Sequence, residues 1–434
     1  MNRAAVKQLV SWLDEVGGIS DEPGRLTRTF LSPAMKRANT AVAAWMRQGG
    51  MSVRTDLVGN LIGRLESTRR GAKTLLLGSH LDTVRDAGRF DGALGVLLPI
   101  VALGELRRRG VTPPFAVEVL GFSEEEGVRF SSAYLGSKGF TGQLRAADLM
   151  LRDSDGVSVR EAMAKWSGSI SNRSGSHGKR LGVEPLHRQR SDVLGYVEVH
   201  IEQGPVLEME KLAVGVVSSI AGQTRGRLTF RGKAGHAGTT PMNLRRDALA
   251  GAAEFIHFAE STARLRVPLV ATVGSITVAP GAPNVIPGEA SLSLDVRHPR
   301  DPARAAALVH LLREAKAIAH RRKLRLTWER TQDNGAVECS AELSRILEES
   351  VQSVQGRSVT LVSGAGHDAV IVSAITPVAM LFVRCRDGLS HHPGEYASPA
   401  DLEVALRVMV DFLERVGRAE ARLPDGRAPR RKAG

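Results

Sequence analysis

The sequence predicts an α/β protein, a mixed and mainly parallel sheet with flanking helices, interrupted by an inserted α+β block. Three observations carry this. Leu75-Leu-Leu-Gly78 and Phe115-Ala-Val-Glu-Val-Leu-Gly-Phe122 read as buried strands, and Gly92 to Arg109 between them has apolar residues at helical spacing with a basic last turn. Strand, helix, strand at these intervals is a βαβ unit, whose crossover makes the two strands parallel. From about Val214 the texture changes to antiparallel-looking strands with two helices, and the first alternation resumes near Gly335. With 434 residues more than one core is expected. The division that follows is a first domain over 1–213 and 333–417, an insert over 214–332 and a basic, disordered tail over 418–434.

The elements can be justified in order. Ser32-Pro33 supplies a capping hydroxyl and a proline at the first helical position, Met35, Ala38, Val42, Trp45 and Met46 form the stripe, and Gly49-Gly50 ends the helix. Val53 to Arg64 reads as a strand pair turned at Val58-Gly59-Asn60, and 151–191 is the least regular stretch, with a polar, basic loop over 171–190. Its His177 and His187 read as solvated. Tyr196-Val-Glu-Val-His200-Ile-Glu alternates, placing Val197, Val199 and Ile201 on one face and Glu198, His200 and Glu202 on the other. In the insert, Arg227–Gly232, Leu269–Pro280 and Ala290–His298 predict strands, one helix begins at Thr240-Pro241 and a second follows Asp301-Pro302 toward His320. A helix from Ala341, strands at Val359-Thr-Leu-Val and Pro377–Arg384, and a helix capped by Ser398-Pro399 complete the first domain.

Composition narrows the function classes. Hydrophobic residues at 42% and charged residues at 24% describe an ordinary globular chain, and no apolar run reaches membrane-spanning length. Two cysteines, Cys339 and Cys385, are too few for a disulfide framework, which points to the cytosol. The net charge of +13 invites a nucleic-acid reading, but the basic runs are short and scattered and aromatics are only 4%. A basic surface that draws in a small anion is the better reading, with neither nucleic acid nor membrane as partner.

The chemistry-bearing residues follow core strands, where open α/β sheets place their sites. His80 and Asp82 follow the strand at Leu75, and Asp91 precedes Gly92 in Gly88-Arg-Phe-Asp-Gly. Imidazole with carboxylates suits a divalent metal, against the plainer alternative of a satisfied histidine and two solvated aspartates. Glu124-Glu-Glu126 follows the next strand, where mutual repulsion is costly unless cations neutralise it; on an exposed helix the same run would be a solvated face. Asp387-Gly-Leu-Ser-His391-His392-Pro393-Gly-Glu395 follows the strand ending at Arg384, and Gly364-Ala-Gly-His367-Asp368 lies just before it. Several strand ends converging with His and carboxylate favour a site over coincidence.

These motifs, with His200-Ile-Glu-Gln-Gly-Pro-Val-Leu-Glu208, Gly235-His-Ala-Gly-Thr-Thr-Pro-Met242, Pro283-Asn-Val-Ile-Pro287 and Asp295-Val-Arg297, span nearly the whole chain. Together they resemble the amidase, hydantoinase and carbamoylase branch of the M20 metallopeptidase-like hydrolases: allantoate amidohydrolases, N-carbamoyl-L-amino acid hydrolases and β-ureidopropionases. The resemblance implies an M20-type catalytic domain holding two divalent metal ions, Zn or Mn with Co or Ni as alternatives. It implies His80, Asp91, Glu126, His200 and His391 as ligands, Asp91 bridging and the adjacent His392 being the alternative to His391. Glu125 then becomes the general base and Asp82 the carboxylate that orients a ligand. The insert becomes a ferredoxin-like lid and homodimerisation domain whose His236 stabilises an oxyanion in a neighbouring subunit's site. Gln203, Asn284, Arg297 and His236 become contacts to a small anionic ureido or carbamoyl substrate, with allantoate favoured by Met380-Leu-Phe-Val-Arg-Cys-Arg386 and the Gly388-Leu-Ser-His-His-Pro motif.

Overall fold

The computed structural model describes residues 3–167 and 192–422; the basic loop with His177 and His187 and the tail from 423 lie outside the described residues. The described residues form two compact units, the second comprising Ser219–Glu338 and Val362–Gly366, the first the rest of them. The first begins with α1 (Arg3–Gly17), α2 (Pro33–Gln48), β1 (Ser52–Thr55), β2 (Leu61–Leu65), β3 (Thr74–His80), α3 (Ala93–Arg108), β4 (Ala116–Phe122), α4 (Leu135–Thr141), α5 (Val159–Trp166), β5 (Val193–Ile201), α6 (Val206–Met209) and β6 (Val214–Ile220). There follow β7 (Gly222–Arg231), β8 (Gly235–His236), α7 (Ala248–Arg264), β9 (Val270–Thr272), β10 (Ile276–Ala279), β11 (Val285–Ile286), β12 (Glu289–His298), α8 (Asp301–Arg321), β13 (Arg325–Asn334) and β14 (Val337–Glu338). The chain then closes with α9 (Ala341–Gln355), β15 (Thr360–Ser363), α10 (Asp368–Val372), β16 (Val378–Val383) and α11 (Pro399–Arg422).

The large sheet runs β1-β2-β4-β3-β5-β16-β6-β14, with β15 also on β6. Its centre, β4-β3-β5-β16, is parallel, and its margins are antiparallel. Central parallel strands have both faces covered, which is why β3, β4 and β16 are buried at every position. On one face α1, α3, α9 and α11 pack through Leu9, Leu97, Leu347 and Leu406. Almost all of α3 is buried, as a helix apolar on every side must be. Gly95 lets it approach the sheet, since a Cβ there would lie 2.1 Å from the Val199 carbonyl oxygen. Because β3, β4, β5 and β16 all point the same way, the residues at or just beyond their carboxyl ends gather at one edge. That edge receives His80, Glu124 to Glu126, His200 and the loop to His391.

The second unit is a sheet in the order β10-β12-β7-β13, with β9 also on β12. Taking β7, β10, β12 and β13 as its four strands, the order is second, third, first, fourth, which is the ferredoxin-like arrangement. Helices α7 and α8 cover one face around Leu228, Phe230, Phe255, Leu292 and Leu311.

Three details differ from expectation. The helix predicted at Thr240-Pro241 begins at Ala248, because the Asp247 carboxylate accepts the Ala250 N–H and caps it there; 242–244 form a single 3-10 turn. The charge-rich strand β13 was not anticipated. Its burial alternates only between exposed and half-buried, so it lacks an apolar signal. Helix α11 runs to Arg422, past Gly417, since Arg418-Ala-Glu-Ala-Arg422 are all good helix formers. Among the described residues no helix is long and apolar enough to cross a membrane.

The close seat of α3 is testable. Gly95→Ala should destabilise the protein by about 1–3 kcal/mol or more, because a backbone carbonyl cannot move aside as a side chain would. Denaturant unfolding measures this; wild-type stability would show that α3 is not held by that contact.

Candidate metal centre

The site is built outward from His80 at the end of β3. Gly92, with φ of 64°, turns the chain into α3 just below the His80 ring, where a Cβ would come within 2.5 Å of the imidazole. That turn aims the Asp91 side chain at the histidines. The Nε2 atoms of His200 and His80 lie 3.0 and 3.7 Å from Asp91 Oδ1. The other oxygen, Oδ2, lies 3.2 Å from His391 Nε2, which is itself 3.5 Å from Glu126 Oε1. One carboxylate thus serves two groups, His80 with His200 and Glu126 with His391, and the ligand-capable atoms of each group, Asp91 included, fall within 4.8 Å of one another. A third such group, His80 with Glu125 and Glu126, overlaps both.

The ring orientations show what the site demands. His80 Nδ1 is 3.0 Å from the Asp82 carbonyl oxygen and His200 Nδ1 is 2.9 Å from that of Ile201, so each Nδ1 carries the hydrogen. Each Nε2 then faces Asp91 Oδ1 as a lone pair unless a further positive charge intervenes. The titration directions register that pull. Burial would lower the His80 pKa, but Asp82, Glu125 and Asp91 outweigh it and raise it well above the usual imidazole range. Burial likewise opposes, and Asp91 drives, a rise at His200. The Asp91 hydrogen bond lifts His391 to about 9. Burial would raise Asp91, yet His200 and His391 hold it well below the carboxylate range. Two imidazole lone pairs and a carboxylate on one side, and an imidazole with two carboxylates on the other, fit divalent cations.

The three consecutive glutamates divide their labour. Glu124 turns away, its Oε1 accepting the Gly127 N–H at 2.5 Å. Asp82 accepts the Glu125 N–H at 3.0 and 3.1 Å and the Glu126 N–H at 3.1 Å, fixing the backbone that presents both carboxylates. Its Oδ1 is also 3.4 Å from His80 Nδ1, so it braces two strand ends at once. Burial, then the neighbouring Glu126, pushes Glu125 well up, and burial with Asp91 takes Glu126 to about 7.

Gln203, expected against substrate, lies beside two of the candidate ligands, its Nε2 3.3 Å from Asp91 Oδ2 and 3.4 Å from His391 Nε2. His392 does not join them; its Nδ1 accepts the Gly394 N–H at 3.0 Å. His236, Asn284 and Arg297 belong to the second unit. There His236 pairs with Val285 across a two-stranded ribbon, and both His236 and Asn284 are exposed. The Arg297 guanidinium is already engaged, forked onto Asp295 (Nε to Oδ1 3.0 Å and Nη2 to Oδ2 2.8 Å) and donating to the Gly364 carbonyl.

Residues 76–415 match the Peptidase family M20/M25/M40. The chain belongs to this family. It is 40% identical over 436 residues to Allantoate deiminase 2 of Glycine max, covering 94% of this chain and 89% of that one. It is 38% identical over 414 residues to an N-carbamoyl-L-amino acid amidohydrolase of Geobacillus stearothermophilus, covering 94% and 98%. A solved amidase of the hydantoinase/carbamoylase family from Burkholderia multivorans matches with a TM-score of 0.86 at 31% identity, over 94% of this chain and 97% of that one. This M20-family chain is an amidohydrolase, and the family is metal-dependent.

Two residues beside this cluster carried no role in the sequence reading. Arg28, fully buried, donates from Nε to the Leu81 carbonyl at 2.5 Å and from Nη1 to those of Val16 and Ile19 at 2.8 and 2.9 Å, setting a cation behind Asp82. An arginine within Leu26-Thr-Arg-Thr-Phe-Leu31 is the signal that could have found it. His367, from the Gly364-Ala-Gly-His motif, packs edge-on against the His200 ring with centroids 4.5 Å apart, and burial keeps it well below the usual imidazole pKa, hence neutral.

The Asp295 fork sets a pH expectation. Burial opposes, but Arg297, Arg225 and Gln223 hold Asp295 at about 2, below its unfolded 3.8, so its stabilisation is present above pH 3.8 and lost as pH falls toward 2. Asp295→Asn should cost about 1 kcal/mol at neutral pH, the screened worth of a half-exposed pair, and the difference should close between about pH 4 and 2. Unfolding as a function of pH reads this; a gap undiminished at pH 2 would remove the fork as its source.

Proposed function

We propose that the chain hydrolyses a ureido or carbamoyl C–N bond in a small carboxylate-bearing molecule, with allantoate as substrate and an N-carbamoyl-L-amino acid as the alternative. The observation that carries the reading is Asp91, whose two oxygens address separate His and carboxylate groups. His80, Asp91 and His200 would hold one divalent cation and Asp91, Glu126 and His391 a second, with Zn or Mn suited to these donors and Co or Ni also accepted. Bound there, such a pair lowers the pKa of water toward neutrality and polarises a carbonyl.

The chain's own residues do the rest. Glu125, raised in pKa and close to His80 and Glu126, takes a proton from the attacking water and delivers it to the leaving nitrogen. Asp82 keeps Glu125 and Glu126 in register through their N–H groups. Cleavage of a ureido group this way yields an amine and a carbamate, which decomposes to ammonia and carbon dioxide. A substrate carboxylate calls for a cationic fork. Arg297 has three of its five N–H groups committed to Asp295 and Gly364, leaving two for a bidentate anion. Asn284 and Gln203 add polar contacts, and His236 supplies an oxyanion donor to the site of a second copy, which makes the second unit a lid and dimerisation domain of a cytoplasmic homodimer.

Ammonia release from allantoate and a panel of N-carbamoyl amino acids, with Mn or Zn supplied, tests the substrate. The highest kcat/KM is expected for allantoate. Preference for an N-carbamoyl amino acid would shift the substrate and leave the centre intact, whereas full turnover after chelation would end the metal reading. Glu125→Gln should retain metal while kcat falls about 10²- to 10⁴-fold, and Glu126→Gln should lose metal; the reverse pattern would exchange their roles. Arg297→Ala should lower kcat/KM about 10- to 100-fold for every carboxylate-bearing substrate tried.

A further inference from the structure

Glu395 takes no part in the chemistry above, yet it is built into the centre. It is buried, at 4% exposure, and divides its oxygens between two loops far apart in sequence. Oε1 accepts the N–H groups of Phe90 and Asp91 at 2.9 and 3.0 Å, and Oε2 accepts the Ser390 hydroxyl at 2.8 Å. Ser390 Oγ in turn lies 3.4 Å from Asp91 Oδ2 and receives the Gln203 amide at 3.1 Å. The Glu395 N–H closes the loop onto the His392 carbonyl at 3.0 Å. The surrounding backbone has made room for this side chain. A Cβ on Gly88 would lie 2.3 Å from both Cβ and Cδ of Glu395.

The loop that carries His391 needs such a hold. His391 has φ of 56°, a left-handed conformation disfavoured for a residue with a Cβ, and its side chain is about half exposed, so packing alone does not fix it. The Asp91 end is better supported, since Phe90 and Asp91 also accept the first N–H groups of α3. We propose that Glu395 is a positioning residue that latches the His391 loop to the Asp91 loop and so sets how tightly the Asp91, Glu126 and His391 group holds a divalent cation. This rests on reading that group as a metal site. Without the carboxylate, two buried N–H groups lose their acceptor and the loop that carries His391 loses its Ser390 tether. The His80, Asp91 and His200 group keeps ligands placed by β3, the start of α3 and β5, so the loss should fall on one cation rather than both.

The test titrates full-length, metal-free protein with Mn²⁺ in equilibrium dialysis, reading bound metal, with far-UV circular dichroism and melting to establish folding. Wild type is expected to take up two equivalents. Glu395→Ala should bind one with nearly wild-type affinity and the other about 10- to 100-fold more weakly. Glu395→Gln, whose amide oxygen still accepts both N–H groups and whose amide N–H can reach Ser390, should restore both, which a requirement for negative charge would not allow. Two tight equivalents in Glu395→Ala would overturn the latch and leave the proposed function standing, as would equal weakening of both in a variant that melts like wild type. Should Glu395→Ala fail to fold, Ser390→Ala and Gly88→Ala strain the same contact. Selective weakening of one equivalent supports the latch, and wild-type binding by both variants overturns it. No bound metal in wild type would instead remove the reading on which the latch depends.

Discussion

Like charges gathered in a largely buried place are the constraint on which this structure turns. Asp82, Asp91, Glu124, Glu125, Glu198 and Asp368 are all buried at or near one sheet edge. Burial pushes Glu124, Glu125, Glu198 and Asp368 upward, their acidic neighbours adding to it at Glu124, Glu125 and Asp368. Such a cluster is tolerable only where positive charge or donated hydrogen bonds answer it. Backbone N–H groups answer at Asp82 and Glu124, the Ser79 hydroxyl and Ala369 N–H answer at Glu198, and Arg28 places a fixed cation behind the strand ends. At Asp91 the partners are imidazoles, which can yield to a metal.

The rest of the first unit can be seen as the means of holding that arrangement still. A parallel four-stranded centre brings the candidate ligands to one edge, and glycine at 92 and 95 removes the side-chain bulk that would push Asp91 or α3 away. The His200 ring is held from both sides, by the Ile201 carbonyl at Nδ1 and by the neutral face of His367. In the second unit the same logic appears in a polar setting. Asp295 gathers Gln223, Arg225 and Arg297 and so fixes the direction of the Arg297 fork.

How much of this could be seen in the sequence depended on whether the signal was local. As members of the candidate cluster, His80 was legible because it ends an apolar strand, Asp91 because a glycine-flanked loop follows that strand, the run Glu124 to Glu126 because it follows the next strand, and His200 because its strand alternates. The βαβ unit was legible for the same reason. What escaped was set by long-range partners. Nothing near Glu395 says that its acceptor atoms meet Phe90 and Asp91, more than 300 residues earlier. Arg28 reads as a surface charge until the carbonyls of Val16, Ile19 and Leu81 close around it. Strand β13 escaped because its neighbour β7 supplies its pairing while its own side chains stay largely in solvent. The three glutamates could not be told apart by type; in the structure the Glu124 carboxylate takes the Gly127 N–H, while Asp82 holds the N–H groups of Glu125 and Glu126.

The place of β16 in the sheet has a consequence for how the protein comes into being. It is the last strand among the described residues, yet it lies between β5 and β6, paired to both. During synthesis β5 and β6 therefore emerge with their facing edges unfilled, and about 160 residues, including nearly all of the second unit, are made before the filler arrives. The second unit, whose strands all lie close in sequence, can fold during that interval. The catalytic sheet cannot, and its open edges are a natural binding place for chaperones or for the same strand of another nascent chain.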